Sequence, residues 1–151
     1  MKFTERLRRL LPGVWVGVLL AIALVATPAA SGALDKVSFG AVARAIFARE
    51  APTSLVLGVL ILVIERRDAL ARHLETGVTQ FSAEMLLAAG ALFCTVAGYY
   101  GLLPAMEQAR LGGSSRLSFL QLHALSLAFF GLKGLLVLSL AWRATRPAGK
   151  T

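Results

Sequence analysis

The run APTSLVLGVLILVI, residues 51–64, decides how this chain folds. As a helix it covers about 21 Å, which falls short of the roughly 30 Å of hydrocarbon in a bilayer. Three other apolar runs, residues 10–34, 85–106 and 117–142, are each long enough to cross, so residues 51–64 determine whether the chain has three spans or four.

Charge asymmetry arbitrates. With four spans, Lys2, Arg6, Arg8, Arg9, Arg66, Arg67, Arg72, Arg143, Arg146 and Lys150 share one side, and Lys36, Arg44, Arg49, Arg110 and Arg116 lie on the other. That is ten basic residues against five, as the positive-inside rule requires of a chain with both termini in the cytoplasm. Three spans would invert the balance. The sequence therefore predicts four spans, about residues 11–34, 51–70, 83–104 and 118–142, with Arg66 and Arg67 snorkelling at the cytoplasmic end of the second.

Composition supports this class. Hydrophobic residues make up 57% of the chain and the mean hydropathy is +0.72, beyond what one soluble core needs. No loop or tail is long enough to fold on its own, so the 151 residues form a single integral-membrane domain. The net charge of +8 collects at span ends rather than on an aromatic-interleaved surface, which argues against nucleic acid as a partner. The lone cysteine, Cys94, has no partner for an internal disulfide or a zinc site, and the sequence calls for no metal and no cofactor. Small residues at 27–33 resemble a signal cleavage site, but the uncharged run from Leu10 is longer than a signal core and is expected to be retained.

Between spans one and two, Phe39, Val42, Ala43, Ile46 and Phe47 recur at helical spacing, with Arg44 and Arg49 on the other face. Residues 38–50 are expected to form an amphipathic connector lying flat at the outer interface. Gly13 and Gly17 in span one, and Gly98 in span three, mark faces where helix backbones approach closely, within the chain or between chains. The fold class expected is an all-α membrane protein, a four-transmembrane-helix bundle with that interfacial helix between spans one and two.

Span four carries the polar groups. Phe119, His123, Ser126, Phe130, Lys133 and Val137 follow a 4-3-4-3-4 spacing and so share one helix face. Lys133 lies about 13 Å from Trp142 along the axis, beyond the reach of snorkelling, and an unpaired ammonium there costs several kcal/mol. Glu84, at the cytoplasmic start of span three, is the expected ion-pair partner. His123 reads first as a structural histidine bonding a neighbouring helix, then as a proton relay or substrate contact, and last as a haem or metal ligand, since one histidine does not make a bis-His site. The sequence contains no HExxH, GxSxG, phosphate loop or paired intramembrane carboxylates, so no catalytic residue is assigned.

Several motifs together resemble a known family. Val14-Trp15-Val16-Gly17, Val25-Ala26-Thr27-Pro28, Phe39-Gly40-Ala41-Val42 through Phe47, and Phe119-Leu120-Gln121-Leu122-His123-Ala124-Leu125-Ser126 are similar, in order, to the bacterial domain-of-unknown-function 4149 family. That family is related to the eukaryotic transmembrane protein 205 group. The resemblance implies four spans in a bacterial inner membrane, and the chain departs from it at Lys133, near which the family carries a polar but uncharged residue, commonly Asn. It implies no activity for the bacterial members and a faint hint of transport from the eukaryotic ones.

Two functional expectations follow. The first is a non-enzymatic accessory or scaffold subunit that contacts lipid and binds another membrane protein or further copies of itself. The second is a small transporter or exporter, acting as an oligomer, in which His123, Ser126 and Lys133 line the path. Four helices enclose little space and the chain has no internal repeat, which favours the first.

Overall fold

A computed structural model describes residues 3–112 and 117–146, and all regular structure among them is helical. Four helices are long and apolar enough to cross a membrane: α1 (Phe3–Ala33), α2 (Lys36–Thr76), α3 (Ala83–Arg110) and α4 (Phe119–Ala144). Each starts or stops where local chemistry dictates. Asp35 caps α2 by accepting from the Val37 and Ser38 amides at 2.9 and 3.1 Å, and those bonds, led by Ser38, hold its carboxyl below the usual carboxylate range. Ser82 caps α3 through the Met85 amide, and Ser118 with Gln121 forms a reciprocal capping box on α4. Gly77, at φ 69°, closes α2 in a left-handed turn that a side chain would strain.

Two helices widen into π-turns, at Ile22–Ala26 in α1 and Val96–Gly101 in α3. A proline follows each, Pro28 and Pro104. A proline ring collides with the carbonyl four residues back and removes the bond that carbonyl would accept. Those carbonyls belong to Leu24 and Tyr100, inside the widened turns, so the π geometry absorbs the proline without ending the helix.

The helix α2 corrects the sequence reading. Residues 38–50 form no separate interfacial helix; they are the first part of one continuous 41-residue helix, about 61 Å long. Pro52 fails to break it, because it removes only the bond to Ala48. The predicted apolar face is still used: Phe39, Ala43, Ile46 and Phe47 are half-buried, and Phe47 meets Phe130 of α4 edge-on at 5.4 Å.

The helices pack in a ring, each against its sequence neighbour, with α4 closing against α1. The core is Trp15, Leu19, Ile61, Ala88, Ala91, Val137 and Leu140. Outward faces are apolar as well, with Leu24, Val25, Val56, Val63, Leu86, Phe93, Leu127 and Leu135 exposed. An apolar stripe this extensive is expected where the solvent is lipid.

Only one of the three glycines singled out in the sequence is tightly packed. A Cβ on Gly98 would stand 2.5 Å from Phe129 Cβ, whereas Cβ atoms on Gly13 or Gly17 would meet nothing within 4 Å, since both face outward. Gly58 is also tight, with Leu92 Cδ2 at 2.6 Å and Trp15 Cη2 at 2.9 Å. Gly98→Ala is expected to cost about 1–3 kcal/mol, because the clashing Phe129 atom is next to the backbone and cannot swing away. Gly17→Ala is expected to be neutral or to stabilise by up to about 1 kcal/mol through helix propensity. Reversible unfolding in mixed micelles measures both.

Candidate functional site

A buried polar chain joins three helices in the middle of the bundle. Lys133 Nζ of α4 donates to Glu50 Oε1 of α2 at 2.6 Å. Ser54, one turn along α2, donates its hydroxyl to the same carboxylate oxygen. Trp15 Nε1 of α1 donates to Ser54 Oγ at 2.8 Å. All four side chains are buried, and Lys133 and Glu50 are only 3% and 4% exposed. The ammonium also sits 5.0 Å from the centre of the Phe130 ring, near the range of cation–π attraction.

The depth of this pair follows from helical rise. Lys133 lies ten residues, about 15 Å, from Arg143, and Glu50 fifteen residues, about 22 Å, from Glu65. At that depth neither charge reaches bulk water, and among the described residues the Lys133 ammonium bonds to Glu50, while Glu50 accepts from both Lys133 and the Ser54 hydroxyl. Glu50 nevertheless forms part of the wall of an open apolar groove between α1 and α2, with Val18, Ile22, Val42 and Ile46.

Glu84 is not the partner of Lys133. Its Oε1 accepts from Nε and Nη2 of Arg143, both at 2.8 Å. Arg143 stands level with the start of α3, whereas Lys133 lies three turns deeper and turns towards α2. Around Glu84 a rim of ion pairs closes the end of the bundle that carries both described termini: Arg8 with Glu65 at 2.8 Å and with Asp68 at 3.3 Å, Arg72 with Asp68, and Arg9 with Glu5.

The polar stripe of α4 does not act as one surface. Lys133 and Val137 point into the core, Ser126 donates to the Gly98 carbonyl at 3.2 Å, and His123 is exposed and stacked on Phe119. The stripe thus runs from an open outer end into a packed inner one. Sequence reasoning missed Glu50, Ser54 and Trp15 as polar partners. The signal was present, because Glu50 and Ser54 are four residues apart and so share a face with the start of the second apolar run. Among the described residues no group of three or more His, Cys, Asp or Glu side chains is placed to hold a metal ion.

Four apolar helices around a buried ion pair, with apolar outer faces, define a multi-pass membrane protein. The family model described as "Domain of unknown function (DUF4149)" matches residues 10–115, and the chain belongs to that family. No curated protein and no solved structure matches the chain.

Proposed function

We propose that the chain is a non-enzymatic accessory or scaffold subunit of a bacterial inner membrane, with both termini in the cytoplasm, that binds another membrane protein or further copies of itself. The observation that carries this reading is the way the intramembrane charges are spent. Lys133, Glu50, Ser54 and Trp15 satisfy one another and are buried, which fixes α1, α2 and α4 in one arrangement and leaves the outer faces as the interacting surface. Buried polar groups of this kind serve best as devices of register. The ten-to-five distribution of basic residues supports the cytoplasmic placement of the termini.

A transporter is the second reading, favoured by the groove that reaches Glu50 from the side. Cysteines placed at Ser126 and Phe130 in a Cys94→Ala background separate the two. A membrane-impermeant maleimide is expected to leave both unmodified in intact membranes, as a packed face requires. Rapid modification of both would replace the scaffold reading with a water-filled path.

A further inference from the structure

At the end of the bundle bearing the rim of ion pairs, the helices leave a cavity of about 200 Å³, lined by Glu65, Glu84, Arg143, Arg146 and the apolar Leu140 among others. Glu65 is 2% exposed, and its two oxygens are treated differently. Oε1 accepts from Arg8 Nε, while Oε2 is buried and has no hydrogen-bond partner among the described residues. Arg8 does not close a second bond to it, because Arg8 Nη1 turns towards Asp68. A buried carboxylate oxygen without a donor is costly, and Glu65 is one of the residues that line the cavity.

The same cavity holds the opposite deficit. Arg146 lines it with no carboxylate partner among the described residues, and Arg143 directs two of its nitrogens at a single oxygen of Glu84. A ligand that satisfies both ends carries an N–H donor for Glu65 and an anion for Arg146. The level of the site narrows the choice. It lies where the apolar faces of α1 and α4 give way to Arg8, Arg9 and Arg143, which in a membrane is the headgroup layer.

We infer that this cavity binds the headgroup of an ethanolamine phospholipid, its ammonium on Glu65 Oε2 and its phosphate on Arg146 beside Arg143. The inference rests on the membrane reading of the chain and not on the scaffold reading. Choline lipids share the phosphate but lack an N–H, and glycerol lipids share the phosphate but lack the cation.

The test uses the full chain in maltoside micelles with added phosphatidylethanolamine, phosphatidylcholine or phosphatidylglycerol, read by unfolding temperature and by native mass spectrometry. Phosphatidylethanolamine is expected to raise the midpoint by about 5 °C more than the other two, as ligand linkage predicts for a near-saturated site, and to remain bound in the spectrum. Glu65→Gln, which keeps an acceptor for Arg8, should abolish the preference, whereas the surface change Arg146→Gln should weaken the binding of all three lipids alike through the phosphate they share. Equal shifts from the three lipids, as when water alone satisfies Glu65, overturn the inference. So does a preference that survives Glu65→Gln. Soluble phosphoethanolamine matching the lipid at equal concentration would overturn the assignment to a membrane lipid.

Discussion

Lys133→Met, with Glu50 left in place, is expected to lower the unfolding free energy by about 3 kcal/mol or more, and Glu50→Leu alone to do the same. Each change strands one buried charge at a depth of about 15 Å or more from the rim, and breaking a buried pair from one side costs about 3–5 kcal/mol. Insertion scales set a similar figure of about 3 kcal/mol for one uncompensated charge at a span centre. The double change Glu50→Leu with Lys133→Met removes both charges and fills the space with side chains of similar volume. It should recover most of the loss, since a well-packed apolar replacement of a buried pair is often neutral. A double-mutant cycle in mixed micelles therefore gives a coupling energy of roughly 5 kcal/mol, the two single losses less the small loss of the double. Additive losses would show that the two residues do not depend on each other, and the buried chain would lose its place as the organising site.

The contrast between the two ion pairs sharpens this. Arg143 and Glu84 are 35% and 18% exposed at the side chain, so water screens them and truncating either should cost about 1 kcal/mol or less. An expectation that assigned Glu84 to Lys133 would reverse that order. The cycle thus distinguishes the pairings by magnitude as well as by partner.

What could be read in the sequence, and what could not, follows from the range of each interaction. Four spans are legible because hydrophobic length and flanking charge are local properties, and one marginal run was settled by counting arginines and lysines. The need of Lys133 for a partner is legible too, because the bilayer imposes it wherever the helix lies. The partner's identity depends on how far α2 continues. Treating residues 38–50 as a separate surface helix placed Glu50 at the interface, and only the continuous helix brings it over Ser54 and opposite Lys133. The glycines show the same limit from another side. Gly13, Gly17, Gly58 and Gly98 are equivalent as residues, but helix rotation alone decides that Gly58 and Gly98 meet neighbours while the other two face outward. His123 fell on the right stripe and on the wrong side of the packing boundary, because the outer end of the bundle is open where the inner end is closed.

Trp15→Ala is the second change expected to have a large effect, a loss of about 3–5 kcal/mol, and its reason lies in how one side chain serves both the core and the polar chain. The ring is fully buried, and its Cη2 atom occupies the space that a side chain on Gly58 would need. Removing it leaves a void bordered by Gly58 and Leu92 on one side and frees Ser54 from its indole donor on the other. In lipid the lost contacts count as dispersion rather than as transfer from water, so the cost comes from the void. Trp15→Phe separates the two contributions. It keeps most of the ring and removes the N–H, and since an interhelical hydrogen bond in a membrane is worth about 0.6–2 kcal/mol, the loss should stay in that range. Gly58→Ala completes the argument. Alone it forces a Cβ against Trp15 and Leu92 and should cost about 1–3 kcal/mol. In the Trp15→Ala background the indole clash is gone and only the Leu92 contact remains, so the second change should cost roughly 1 kcal/mol less than it does alone. Strict additivity of Trp15→Ala and Gly58→Ala would mean that the tryptophan is not seated against Gly58, and the packing that holds α1 to α2 would have to be redrawn.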